Sequence, residues 1–196
     1  AAGGKFTVTG FNVHPGSAKD TMINAIAVAS EIQSLLPEAE SPRNTDGYEG
    51  FYHLTGMSGD VAHAESEYII RDHDAEKFAA KEENLRRIEK EMNEKYGAGT
   101  VKLEIKEQYR NMSEKIRPCY HLIENAEEAA RRAGMEPIIL PIRGGTDGAR
   151  LSFMGLPCPN LGTGGYAYHG PYEHITVEGM EKTMAMLKEL VKIYAE

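Results

Sequence analysis

The chain has few cysteines, no long apolar run and no concentration of positive charge, and each absence removes a class of function. Its two cysteines, Cys119 and Cys158, lie far apart without C-x-x-C spacing. That fits reduced thiols in a cytosolic protein better than the cysteine-dense framework of a small secreted domain. No stretch is long and apolar enough for a membrane helix or a signal-peptide core. Lys and Arg number 22 against 30 Asp and Glu, for a net charge of −8, and no basic block is interleaved with aromatics. Nucleic acid is therefore not an expected partner, and neither is a membrane. There is no G-x-S-x-G elbow, no phosphate-loop G-x-x-x-x-G-K-[ST] and no G-x-G-x-x-G, so serine-nucleophile and nucleotide chemistry lack their signatures. What is present, 41% hydrophobic and 27% charged residues, is ordinary for a soluble globular protein, here expected to be cytoplasmic.

The first half alternates element types in a readable order. Lys5–Thr9 has the period-2 pattern of a half-buried strand. Pro15 and Gly16 interrupt it, and Asp20 is the predicted cap of a helix carrying Ile23, Ile26, Ile32, Leu35 and Leu36 up to Pro37. After a polar loop, Phe51–Ser58 and Ala64–Asp72 read as two strands joined through Gly59-Asp60. Ala75–Tyr96 reads as a charged helix with Phe78, Leu85, Ile88, Met92 and Tyr96 inward, its charges forming a solvated face. Thr100–Tyr109 alternates as a further strand. The β-α-β-β-α-β order is that of the ferredoxin-like sandwich.

A boundary is expected near Arg117, giving domains 1–117 and 118–196. The second contains a helix over Tyr120–Ala133, a short apolar strand at Pro137–Leu140, another strand candidate at Cys158–Leu161, and a final helix over Thr176–Tyr194. On that last helix Met180, Met184, Leu187, Leu190, Val191 and Tyr194 are predicted inward, the methionines as core filler. The segment has too few strands for a sheet of its own and reads as part of an α/β domain. The chain also begins Ala1-Ala-Gly-Gly and enters a strand at once. It is therefore expected to be a piece of a longer protein, although processing or tag removal would leave the same end.

Pro141–His174 holds eight of the twenty glycines and two of the seven histidines. Such density permits tight turns and close backbone approach. Arg143-Gly144-Gly145-Thr146-Asp147-Gly148 follows the strand candidate and precedes a helical segment, where backbone N–H groups suit an anion, phosphate or carboxylate. His169, with Glu173 and His174 behind it, is either a zinc ligand or a satisfied loop histidine. His14 in V-H-P-G-S is either a solvent-facing histidine or a donor for a developing oxyanion. Arg71, ending Y-I-I-R-D-H-D, either grips a carboxylate or pairs with Asp72 or Asp74. His53, His63 and His73 lack ligand spacing and read as structural.

Several runs resemble one family. G-F-N-V-H-P-G-S-A-K-D-T-M-I-N-A, E-G-F-Y-H-L, Y-I-I-R-D-H-D, I-R-G-G-T-D-G-A-R-L-S-F-M-G-L-P-C-P-N-L and T-G-G-Y-A-Y-H-G-P-Y-E look like the tripeptide aminopeptidases of the two-zinc aminopeptidase/carboxypeptidase/deacylase family. The likeness runs through essentially all 196 residues. It implies an α/β catalytic domain with two zinc ions, interrupted by a β-α-β-β-α-β lid that dimerises. Residues 1–117 would be the lid and 118–196 the returning C-terminal part of the catalytic domain.

By the same resemblance His169 is the last zinc ligand, and His14 reaches the partner subunit's active site to hold the intermediate's oxygen. Arg71 would bind the carboxylate end of a small peptide, and Gly144, Gly145 and Thr146 would form a substrate loop flanked by Arg143. The family's H-x-D motif, bridging aspartate, Glu pair and further metal carboxylate all precede the lid and are not in this sequence. One ligand cannot hold two zinc ions, so the expected activity of this chain alone is none. A reading from another class is a non-catalytic dimerisation module that binds a small anion.

Overall fold

The computed structural model describes residues Ala1–Glu196. The chain forms two compact units, one of Ala1–Arg110 with Pro141–Arg143 and one of Asn111–Leu140 with Gly144–Glu196.

In the first unit the strands are β1 (Ala2–Thr9), β2 (Phe51–Gly59), β3 (His63–Arg71) and β4 (Val101–Glu107). The helices are α1 (Ala25–Ser34) and α2 (Ala75–Tyr96). The sheet order is β2-β3-β1-β4 and every pairing is antiparallel, as the ferredoxin-like order requires. Alternation along β1 sends Ala2, Gly4, Phe6 and Val8 to one face, and that face is buried. There Phe6 and Val8 meet Val28 and Ile32 of α1, Leu85 and Ile88 of α2, and Tyr68 and Ile70 of β3. Each such side chain removed from water contributes about 1.5–3 kcal/mol before its entropy cost. The opposite face is polar and carries the Lys5–Glu65 ion pair.

Local chemistry sets the element ends. The Asp60 carboxylate accepts from Ala62 N and His63 N at 2.7 and 3.1 Å, closing the β2–β3 turn. Asp74 accepts from Glu76 N and Lys77 N, both at 2.9 Å, and so caps α2. Gly97, at φ 104°, ends that helix. The predicted Asp20 cap is corrected. Asp20 sits in a left-handed turn at φ 58°, and Asn24 caps α1 by accepting from Ala27 N. The charges of α2 are not all solvated, and Glu82 is largely covered. Lys81 is buried, ion-paired with Glu40 and Asp72 and set 5.1 Å from the Tyr52 ring centroid.

The second unit contains α3 (Ser113–Ile116), α4 (His121–Arg132), α5 (Asp147–Phe153), a two-stranded hairpin of β5 (Gly165–Tyr166) and β6 (His174–Ile175), and α6 (Val177–Ile193). Its core is small: Ala129, Ala130 and Met186, with Leu161, Leu190 and Ile193 beside them. Two sequence expectations fail here. Pro137–Leu140 and Cys158–Leu161 form no strands, because the unit offers no neighbouring strand to take their backbone bonds. On α6 the side chains predicted inward, Met180, Met184, Leu187, Val191 and Tyr194, are exposed. Only α4 packs substantially on that helix, so most of its apolar face has no covering layer. Ile138 is 75% exposed and Val191 70%.

Candidate functional site

The antiparallel register brings Arg71 to the end of the sheet where β1 begins. Arg71 lies opposite Phe51 of β2, and the neighbouring row joins Ile70, Ala2 and Glu107. Gln108 N donates to Ala1 O and the Ala1 nitrogen donates to Tyr109 O, both at 2.9 Å, so the β1–β4 ladder runs past Glu107. That extension aligns Gln108 and Tyr109 with Arg71. The Arg71 guanidinium carbon lies 5.1 Å from the Tyr109 ring centroid. Its Nη1 donates to Gln108 Oε1 and to Ile70 O, each at 3.2 Å.

No carboxylate pairs with Arg71. Asp72, the sequence alternative, faces Lys81 at 3.7 Å and accepts from Asp74 N, while Asp74 is occupied capping α2. Arg71 is thus a half-buried cation without a counter-ion. Burial pulls its pKa below the ordinary arginine value, and the neighbouring Tyr109 opposes that pull.

Arg143 enters the same unit in the returning segment Pro141–Arg143. Its Nη1 donates to Thr45 O at 2.6 Å, and its Nη2 donates to Thr45 Oγ1 and Glu49 O at 2.7 and 3.0 Å. The guanidinium lies 5.0 Å from the centroid of Phe51, the residue paired with Arg71. The two ring nitrogens of His73 face Tyr48 O and Ile142 O at 3.3 and 3.1 Å. Arg143 and His73 therefore clasp the returning segment onto the 45–49 loop, and the Nη groups of Arg143 are taken up by that loop.

His14 stands beyond the opposite end of β1. Phe11 and Ile23 form an isolated bridge that closes the loop between them, and His14 is exposed within it. Gly16 N donates to His14 Nδ1 at 3.1 Å. That bond occupies the Nδ1 lone pair and places the proton of the neutral ring on Nε2, which is then the free donor. β1 has eight residues, so the ends carrying Arg71 and His14 are about 25 Å apart along the strand.

In the second unit Thr146 caps α5, its Oγ1 accepting from Ala149 N and from Asn160 Nδ2, both at 3.2 Å. A Cβ at Gly148 would lie 2.4 Å from Cys158 O, so glycine lets α5 approach the chain at 158–160. A Cβ at Gly144 would meet nothing within 4 Å, and its φ is not positive, so no part of this chain demands glycine there. His169 is exposed at φ 64°, beside Ala167 at φ 53°, in the β5–β6 connection. Its backbone N–H donates to Glu173 Oε2 at 2.9 Å. Two non-glycine residues in the left-handed region cost about 1 kcal/mol or more each and are typical of loops shaped for a task.

No group of three or more His, Cys, Asp or Glu side chains in the chain is disposed to hold a metal ion. Gln108 and Tyr109 escaped sequence reasoning, because their approach to Arg71 depends on a register between strands far apart in the chain.

A model of the peptidase dimerisation domain matches residues 1–100. Peptidase T of Clostridium perfringens is 53% identical over 196 residues, covering 100% of this chain and 48% of that protein. The chain spans about half the length of the curated relatives it matches. Among solved structures, the aminopeptidase PepT of Bacillus cereus superposes with a TM-score of 0.74 at 22% identity, over 100% of this chain and 52% of that one. A dinuclear metal-binding peptidase of the M20 family from Bacillus subtilis gives a TM-score of 0.58 at 21% identity, over 98% and 49%. At these identities the structural likeness concerns the fold.

Proposed function

Because the chain belongs to the peptidase dimerisation domain family, we propose that it is the C-terminal half of a zinc-dependent tripeptide aminopeptidase working as a homodimer. Residues 1–117 act as the dimerising lid and 118–196 complete the catalytic domain. The observation that carries the reading is Arg71, a half-buried guanidinium without a carboxylate partner, in a chain whose whole length matches about half of a peptidase T. A cation held this way fits the carboxylate terminus of a short peptide.

The separation of Arg71 and His14 supports the dimer. An extended tripeptide spans roughly 10 Å, well under half the length of β1. A single tripeptide does not span β1 from end to end, which supports assigning His14 to the site of the partner copy, where Nε2–H would be directed at the oxygen of the tetrahedral intermediate. Charge at the sheet edges agrees. Edge strand β4 (VKLEIKE) carries two lysines and two glutamates, the usual protection of a free edge, whereas edge strand β2 (FYHLTGMSG) carries no Asp, Glu, Lys or Arg.

The Gly144–Thr146 loop leaves room beside Gly144 for substrate backbone, and Arg143 anchors its entry. This chain by itself does not build a two-zinc site. His169 offers one exposed imidazole and no cluster completes it, so the other ligands are assigned to sequence outside this chain. A bound metal pair would supply Lewis acidity there. The chain's own part is to bind, orient and stabilise.

Mixed dimers test this. In the protein spanning the relatives' full length, His14→Ala should lower kcat for tripeptide hydrolysis about 10²-fold, and Arg71→Ala should raise KM. Random reassociation of the two variants restores one intact site in half of the dimers, or about a quarter of wild-type activity. Absence of recovery would show that both residues serve one copy. The 196-residue chain alone should not cleave tripeptides. Chelator-sensitive cleavage by it would return the missing chemistry to this chain.

A further inference from the structure

The free edge of the Arg71 guanidinium points to its neighbours as a designed support. Nη1 is committed to Gln108 Oε1 and Ile70 O. Nε and Nη2 have no protein partner, and these two N–H groups form the side-on fork that matches both oxygens of a carboxylate. Something must hold that fork in place, since a free arginine side chain carries about 2 kcal/mol of rotamer entropy. Two residues supply the support. The Tyr109 ring lies against the guanidinium, and the Gln108 amide lies over Gly3, whose absent side chain makes the space: a Cβ there would sit 3.3 Å from Gln108 Nε2.

We propose that Gln108 and Tyr109 are positioning residues that present the Nε/Nη2 fork of Arg71 to a terminal carboxylate, so that the site distinguishes a peptide acid from its amide. The inference rests on the tripeptidase reading for its substrate. Tyr109 acts through its ring. Its hydroxyl is buried without a partner, and burial, the larger effect, raises its pKa while Arg71 opposes the rise, so the phenol stays neutral under the cation. Gln108 acts as a neutral acceptor. A glutamate there would form an ion pair with Arg71 and compete with the ligand for it.

Two readouts test the role. In the chain itself, the Arg71 Nε–H NMR signal is followed while N-acetylglycine or N-acetylglycinamide is added. The acid should shift it saturably and the amide should not. Tyr109→Leu should weaken acid binding about tenfold, the scale of a lost cation–π contact, while Tyr109→Phe should stay within about twofold. In the full-length protein, Tyr109→Leu should raise KM for a tripeptide about tenfold with kcat nearly unchanged, and leave KM for the tripeptide amide where it was.

Acid binding that Tyr109→Leu and Gln108→Ala both leave intact overturns the proposal, as does equal binding of acid and amide. If Tyr109→Leu disturbs the sheet end, seen in the amide spectrum, Gln108→Ala and Tyr109→Phe carry the decision. If acid binding behaves as expected but the full-length protein cleaves no tripeptide, the tripeptidase reading falls and the positioning role stands.

Discussion

Gly144 and Thr146 show how differently neighbouring residues of one motif are constrained. Thr146 has a structural task inside the chain, capping α5 through Ala149 N. Gly144 has none, since a Cβ there meets nothing within 4 Å. Gly144→Ala should therefore leave thermal stability within about 0.5 kcal/mol, as surface substitutions away from special features do. In the full-length protein the proposed substrate role predicts a raised KM for tripeptides, because a methyl group would intrude where that reading places substrate backbone. Steady-state kinetics beside a denaturant titration separate the two, and an unchanged KM would remove Gly144 from the substrate loop. The roles proposed for His14, Arg71 and His169 come from the sequence only through resemblance. Residue by residue, each kept a bland alternative, and the structure bears on two of these. Asp72 and Asp74 are engaged elsewhere, and Gly16 fixes the tautomer of His14.

Between elements, α1 and α2 are joined by one polar clasp: Glu31 accepts from Lys95 Nζ and from Tyr96 Oη, both at 2.6 Å. Lys95 first, and Tyr96 second, hold the Glu31 carboxyl below its ordinary value of 4.5. A carboxyl lowered by folding stabilises the fold fully above its unfolded pKa and loses that contribution as pH falls through the lowered folded value. The Tm difference between wild type and Glu31→Gln seen at about pH 6 should thus shrink as pH falls below about 4.5 and vanish once pH has passed below the lowered folded value. A difference that persists at the acid end would mean that Glu31 acts by packing. The elements carrying this clasp were readable because their apolar spacing is local: Leu85, Ile88 and Met92 recur at helical intervals and are buried. The Asp20 cap failed because a left-handed turn was invisible in the residue pattern, and Asn24, four residues on, offers the same chemistry.

For the molecule as a whole, the two units differ in how much each can bury by itself. The first closes a core of Phe6, Val8, Ile32, Tyr68, Ile70, Leu85 and Ile88. The second has five buried apolar residues, Ile116, Ala129, Ala130, Ala149 and Met186, and leaves Ile138, Met184 and Val191 in water. Hydrogen exchange on this chain should show α4 and α6 amides exchanging at least about tenfold faster than those of β1 and β3, since local opening costs less where little apolar area is buried. In the full-length protein the gap should narrow. Equal protection in the isolated chain would mean that the second unit is complete as it stands. No helix is long and apolar enough to cross a membrane, so the exposed apolar face of α6 is not a spanning segment.

The sequence by itself determined the order of elements, most of their bounds and the sandwich they form. Alternation and helical periodicity are properties of a few consecutive residues and survive without knowledge of the rest. Only the tertiary structure decided the rest. It set Tyr109 beneath Arg71, committed Arg143 to the 45–49 loop and put His14 and Arg71 at opposite ends of one strand. It also left the α6 stripe uncovered. Each of these depends on which distant segments pair and in what register. That is decided by the burial of a whole sheet face and leaves no trace in local spacing.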